Sequence, residues 1–446
     1  MKDRYDLVVR GGICLMPGGR IKTDLWVRSG RIALIGESAN AAAAASLDAT
    51  GLHVLPGVID SQVHLREPGL EHKEDIETGT SAAAMGGVTA VFDMPNTHPS
   101  TLAVEDLADK VERAAGRAWC DNALFAGAAR ENVDDLAELE TRPGCSGIKI
   151  FMGSSTGSLL VPDDETLRRV LSSGFRRMAV HAEDEYRLRE RRKLVEPEAS
   201  VEKHPHWRDE ETALAATKRV LSLARSVGRR VHILHVSTGV EMEVLADYRD
   251  LATCEVTPQH LTLVAPDCYK RLGTRAQMNP PIRGEADRAA LWRALDQGVV
   301  DVIGSDHAPH ALEEKDQPYP RSPSGMPGVQ TLLPLMLDHV HHGRLSLERL
   351  VDLTSAGPAR VYGIAGKGRI ALGYDADFSI VDLKAKARIE NAWIKSRCGW
   401  TPFDGMEVHG WPKATIVRGE IAMREGVLVG RPAGKPVRFS ECLRRE

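Results

Sequence analysis

The chain changes texture twice. Up to residue 55, short β-branched runs alternate with Gly, Asn and Ser, as in DLVVRGGICL, DLWVRSGRIALIG and GLHVLPGVID. Such punctuation predicts the short strands of a small sheet. The far end has the same texture, in GRIALGYDADFSIVDL and ATIVRGEIAMREGVLVG. The two ends are expected to pair into one β-sandwich. The alanine-rich stretch Asn40–Ala45 is expected to be helix or loop. Between the ends, apolar runs of strand length alternate with amphipathic stretches such as EDLADKVERAAG and ETALAATKRVLSLARSVG. Eight strands are predicted, at 54–64, 89–96, 121–129, 147–152, 177–183, 230–237, 254–258 and 300–308. Eight strand-plus-helix repeats point to an α/β fold, a TIM-like (β/α)8 barrel. A doubly wound open sheet is the rival, but no Gly-rich phosphate loop follows any strand. The expected division is 1–55 with 365–446 for the composite β-sandwich, and 56–364 for the barrel.

Composition narrows the class. A chain of 446 residues, 42% of them hydrophobic, exceeds one average domain and has ample material for a full core. A formal charge of −4 makes no electrostatic case for nucleic acid or an anionic membrane surface. The basic run Tyr186–Lys193 is expected to be a solvated helix face. Seven cysteines, at 14, 120, 145, 254, 268, 398 and 442, form no C-x-x-C pair. Neither a disulfide framework nor a thiolate zinc site is expected, which suits a reducing cytoplasm. The start, MKDRYDLVVRGG, lacks the apolar core of a signal peptide. No apolar run approaches the length of about 18 residues that would suggest a membrane span. A cytoplasmic protein acting on a small molecule is expected.

In a parallel barrel, polar residues at strand C-terminal ends line the mouth. Here those positions carry Gln62, His64, Asn96, Lys149, His181, His235, Asp306 and His310. Singly, a strand-end histidine reads as a structural residue, and Lys149 as an ion-pair partner. Converging from several strands, they read better as a metal centre. Gln62 and His64 lie two apart, so they share a face and can reach one ion. Neutral imidazoles from His181 and His235 suit zinc or a similar divalent ion. Lys149 cannot ligate as an ammonium. Addition of carbon dioxide would make it a carbamate, whose two oxygens can bridge two cations about 3.5–4 Å apart. Asp306 is placed to take a proton from water and return it to a leaving nitrogen.

These motifs resemble those of the dihydroorotases, within the amidohydrolase superfamily. PGVIDSQVHLREPGLEHKED is similar to the first-strand motif D-x-H-x-H-L-R-x-P-G. MPNT at 94–97, GIKIFM around Lys149, HILHVST at 232–238, MNPPIR at 278–283 and SDHAPH at 305–310 follow in family order, with TPFDG near 401. The resemblance runs from about residue 5 to about residue 430. It implies a barrel flanked by a composite β unit. It also implies reversible hydrolysis of (S)-dihydroorotate to N-carbamoyl-L-aspartate in de novo pyrimidine synthesis. By matched motif, His64, Lys149, His181, His235 and Asp306 become the metal ligands. Lys149 is then the carbamylated bridge and Asp306 the catalytic base and acid, with one or two divalent ions per subunit, zinc foremost. Arg66, Asn96, Asn279 and His310 fall to the substrate, the guanidinium offering a planar fork to its carboxylate. Gly325–Gly328 is expected to offer backbone groups to the ring. A homodimer or higher oligomer is also implied.

Arg66 discriminates within the superfamily. Hydantoinases and dihydropyrimidinases act on rings lacking that carboxylate, and allantoinases resemble D-H-x-H-x-x-E-P-G, without the arginine. The alternative for Arg66 is an ion pair with Glu67 or Asp93. Three positions depart from the pattern. Gln62 stands where the first histidine of H-x-H belongs, and an amide oxygen is a weaker zinc ligand than imidazole. A weakly held ion, a water in the gap, or a single metal would each follow. Gln259 stands in TPQH where the family often shows P-H-H, and is placed outside the ligand set. Gln330 replaces an acidic residue. Some dihydroorotase-like chains that lost their metal site serve as scaffolds for aspartate transcarbamoylase. Retention of Lys149, His181, His235 and Asp306 favours an active enzyme here. An allantoinase- or hydantoinase-like cyclic amidohydrolase and the scaffold remain the alternatives.

Overall fold

The computed structural model describes residues 4–38, 41–154 and 159–440. Five strands come first: β1 (Arg4–Met16), β2 (Gly19–Arg28), β3 (Arg31–Ile35), β4 (Ala42–Asp48) and β5 (His53–Pro56). Eight more build the barrel: β6 (Val58–Val63), β7 (Val88–Asp93), β8 (Asp121–Gly127), β9 (Cys145–Phe151), β10 (Met178–His181), β11 (Val231–Ile233), β12 (Ala252–Val256) and β13 (Val302–Ile303). The last four are β14 (Phe378–Arg388), β15 (Glu407–Val417), β16 (Glu420–Arg424) and β17 (Val427–Leu428).

Strands β6 to β13 neighbour one another in chain order, parallel throughout, with helices between most of them. The seam between β13 and β6 is closed by a Val63–His307 bridge, by His64 N donating to His307 O at 2.7 Å, and by Ser305 N donating to Asp60 Oδ1 at 2.9 Å. Ile59, Phe92, Phe125, Ala179 and Val302 share one apolar cluster with Tyr362 and Phe439. Phe92 meets those last two edge-on, at 5.4 and 6.0 Å between centroids, in the geometry that aromatic quadrupoles favour. All eight predicted barrel strands are present.

The second sheet is drawn from both termini, in the order β17-β16-β15-β14-β5-β1-β2-β3. It curls, so that the turn at Gly30 meets the one at Gly419: Ala376 N donates to Gly30 O and Gly419 N to Ala376 O, both at 2.9 Å. Its two arms thereby cover a common core of Leu7, Val9, Leu25, Val27, Phe378, Ile380 and Ile416.

Two expectations change. The predicted strand at 54–64 is two strands, because His53–Pro56 pairs with β14 in the terminal sheet while Val58–Val63 enters the barrel. Gly57 makes the hand-over, and a Cβ there would lie 2.2 Å from Thr89 Oγ1 and 2.7 Å from Asp377 Cβ. The alanine-rich stretch is neither helix nor loop. Ala42–Asp48 is β4, parallel to Arg4–Arg10 of β1, while Asn40 lies outside the described residues. Alanine is a poor strand former, but β5 covers only part of the β1 edge, and the open remainder pairs with β4.

At the start of β8, Asp121 shares the Lys367 ammonium with Asp375 and Asp377, at 2.5, 3.1 and 2.5 Å, all of them buried. Six cysteines are free and buried, and Cys442 lies outside the described residues. Among the described residues, no helix is long and apolar enough to cross a membrane.

Candidate active site

The strand β6 delivers Gln62 and, just past its end, His64 to the same carboxylate. His64 Nε2 lies 3.3 Å from Asp306 Oδ1, and Gln62 Nε2 donates to that oxygen at 3.1 Å. His64 Nδ1 is 2.8 Å from Asn96 Oδ1, which can only accept, so Nδ1 carries the proton and Nε2 stays basic. Asn96 is thus placed on the histidine that it orients. Burial pushes the Asp306 carboxyl up to about 7, against the pull of Lys149, His181 and Arg66.

His181 ends β10, and its Nδ1 lies 3.0 Å from His235 Nε2. On its other side, His181 Nε2 donates to Glu183 Oε2 at 2.9 Å, and Arg208 Nε reaches both Glu183 oxygens at 3.0 and 3.1 Å. Although burial opposes it, Arg208 holds the Glu183 carboxyl well below the usual carboxylate range, with His181 helping. Glu183 therefore stays an acceptor, fixes the His181 tautomer and leaves Nδ1 with its lone pair. Glu183 and Arg208 were not singled out from the sequence. The only signal was a carboxylate two residues beyond a strand-end histidine.

Lys149 sits in β9 with its ammonium 4.4 Å from the Phe151 ring centroid. Burial lowers it to about 7, against the fields of Asp306 and Glu255. Burial raises Glu255, in β12, to about 8, with Asp306 adding to the effect. Lys149 Nζ, His235 Nδ1 and Gln62 Oε1 are all buried without a hydrogen-bond partner. Each such group costs about 1–3 kcal/mol. A lysine held near neutrality is the form that adds carbon dioxide, and a divalent ion would satisfy the orphaned nitrogen and oxygen. The donor set therefore fits a metal. The expected ligands stand as two touching pairs, His64–Asp306 and His181–His235, with the field of Lys149 acting on all four.

The expected substrate residues divide. Arg66 is 2% exposed, its Nε donates to Pro309 O at 3.1 Å, and its NH2 lies 3.2 Å from His310 Nε2. Neither ion pair considered for it exists. Glu67 is taken by Arg117 at 2.7 Å, and Asp93 by Lys110. His310 is held between Lys73 Nζ at 3.2 Å and Ser324 O at 3.0 Å. Asn279 Oδ1 is 3.1 Å from His204 Nε2, and Asn279 lines a cleft of about 310 Å³ with Arg208 and Ser324. Two backbone donors of GMPG are not free for a ring: Gly325 N donates to Gln277 O at 2.9 Å and Gly328 N to His307 Nδ1 at 3.1 Å. Gln259 Nε2 donates to Ser305 O at 2.7 Å beside Asp306, and its Oε1 is without a partner. Gln330 bridges Trp393 O and Lys395 N at 2.7 and 2.8 Å, a structural tie.

Backbone strain marks the same place. Of the six described non-glycine residues with positive φ, Ser29, Arg418 and Glu425 precede hairpin glycines. The other three are Arg66, His235 and Asp306, at 64°, 37° and 44°. Such conformations persist where the surroundings over-determine them, which functional sites do.

Known proteins share this architecture. The amidohydrolase family matches over residues 53–422. A dihydroorotase from Methanosarcina mazei is 36% identical over 425 residues, 92% of each chain. An allantoinase from Deinococcus radiodurans is 34% identical over 446 residues, 97% of this chain and 98% of its own. The structure of an L-hydantoinase (dihydropyrimidinase) from Arthrobacter aurescens superposes with a TM-score of 0.92 at 29% identity, over 97% of this chain and 99% of that one. Sequence and barrel agree along nearly the whole length, and the chain belongs to the amidohydrolase family.

Proposed function

We propose that this cyclic amidohydrolase is a dihydroorotase, which reversibly opens the ring of (S)-dihydroorotate to N-carbamoyl-L-aspartate in de novo pyrimidine synthesis. Identity alone does not choose among dihydroorotase, allantoinase and hydantoinase, since dihydroorotases match at 36–39%, an allantoinase at 34% and an L-hydantoinase at 31%. Arg66 carries the choice. It is a buried guanidinium with no carboxylate in ion-pair range among the described residues, at the mouth beside His310. Burial lowers it only to about 10, so it remains charged at neutral pH. A buried charge requires a partner, and a substrate carboxylate supplies one with matching planar geometry.

His64, His181, His235, Asp306 and a carbamylated Lys149 would hold zinc, or a like divalent ion, which polarises a ring carbonyl and acidifies water when bound. The chain's own part is plain. Arg66 orients the ring by its carboxylate, and Asp306 accepts the proton of the attacking water and delivers it to the leaving nitrogen. Glu183 holds His181 in one tautomer.

A panel of dihydroorotate, hydantoin, dihydrouracil and allantoin, assayed with and without zinc, tests the reading. Dihydroorotate is expected to be the preferred substrate. Arg66→Met should lower its kcat/KM roughly 100-fold, about 2–3 kcal/mol for losing one partner of a buried charged contact. Preference for a ring without a carboxylate would overturn the assignment. So would zinc-loaded protein that turns over none of the four yet elutes tightly bound to aspartate transcarbamoylase.

Gln62→His gives a second check. In the native site the Gln62 amide nitrogen, not its oxygen, meets Asp306. The histidine variant is expected to hold more metal per chain on elemental analysis. Full occupancy by two ions in the unmodified protein would remove the weak-ligand argument.

A further inference from the structure

The helix Leu332–His341, which follows the last residues of the barrel mouth, ends in a run of histidines against β15. Asp338 sits at the join. Its Oδ1 accepts from His409 N at 2.9 Å and lies 3.2 Å from His409 Nδ1, while its Oδ2 lies 3.4 Å from His342 Nδ1. One ligand atom from each of these three residues falls within 4.8 Å of the other two. His341 stacks face to face on His409, with centroids 3.8 Å apart and planes at 4°. His342 stands edge-on to both rings, at 5.2 and 5.7 Å.

We propose that Asp338, His342 and His409 form a second divalent-metal site, separate from the barrel mouth, that takes a borderline transition ion such as zinc, nickel or copper(II). An ion with bonds of about 2.0–2.1 Å in a tetrahedron has donor–donor edges of roughly 3.3 Å. Two Asp–His separations already match. Imidazole donors select these metals over magnesium and calcium, which want oxygen. The site also lies at a helix C-terminus, where the dipole favours a cation, and His342 Nδ1, 2.9 Å from Asp338 O, would leave that carbonyl to ligate. An ion-pair cluster is the poorer account. Two imidazolium faces at 3.8 Å would repel. Asp338 and His342 come from a barrel helix and His409 from the terminal sheet, so a bound ion would clamp one to the other.

Copper(II) titration of the full-length protein, read by electron paramagnetic resonance and by metal analysis after gel filtration, tests this. Unmodified protein and Asp306→Ala should both show an imidazole-coordinated copper at this site. His342→Ala and His409→Ala should lose one ion per chain or bind it about tenfold or more weakly, with ring-opening activity unchanged. The His342 side chain is 58% exposed, so its removal spares the core. Equal copper stoichiometry and affinity in the unmodified protein and both histidine variants would overturn the proposal. So would a signal that disappears in Asp306→Ala and persists in His342→Ala. Because the readout is metal and not turnover, failure here leaves the dihydroorotase reading untouched.

Discussion

Asp306→Asn is expected to lower kcat for dihydroorotate by about 10²–10⁴-fold, the usual contribution of a positioned general acid–base group. The asparagine keeps the shape of the side chain and one oxygen for the Gln62 amide, but it cannot accept the proton. The native carboxyl suits both halves of the task. In the metal-free site burial lifts it to about 7, and a bound cation would draw it down again, leaving the carboxylate that accepts the proton. Its neighbours, His64 at 3.3 Å and Gln62 at 3.1 Å, fix its direction. The measurement is steady-state kinetics in both directions on protein whose metal content has been determined. A metal-loaded variant that turns over at the native rate would remove Asp306 from the proton path.

Lys367→Met is expected to cost about 3–5 kcal/mol of stability, as breaking a buried ion pair does. Three carboxylates converge on Lys367 Nζ, with side-chain exposures of 0, 2 and 6% for Asp121, Asp375 and Asp377. Arg418 and Arg438 lie at the rim, bonded to Asp121 and Asp375, and cannot replace a charge at the centre. Methionine fills the volume of the lysine stem but leaves three anions facing one another. A fall in the urea midpoint, partly restored by adding Asp377→Asn, is the expected outcome. An unchanged midpoint would show that the trio is protonated or hydrated without the lysine.

Much of the architecture was legible because barrel strands are buried on both faces and so read as short apolar runs, as in GIKIFM and RMAVHAE. The mouth was legible for a related reason: polar residues at the ends of such runs have no place in a core. His64, His181 and Asp306 announced themselves in this way. What could not be read depends on contacts between distant segments. VLPGVIDSQVH looks like one strand, and only the closeness of Thr89 and Asp377 to Gly57 shows that two sheets divide it. Ala42–Asp48 is a strand because β1 has an edge to spare. Arg208 reaches Glu183 across 25 residues, and nothing local marks it as the residue that anchors His181. The pair Asp338 and His409 joins a helix end to a strand 71 positions later.

The terminal sheet has a consequence for how the chain is made. β5 emerges early, yet the partner for its free edge is β14, which pairs Phe378 with Pro56. Until that stretch leaves the ribosome, a row of backbone donors and acceptors stands open beside a barrel that is already closing. Long-range pairing of this kind is slow, and an uncovered strand edge invites association with other chains. A protein cut short before residue 378 should therefore be recovered as aggregate even though every barrel strand is present.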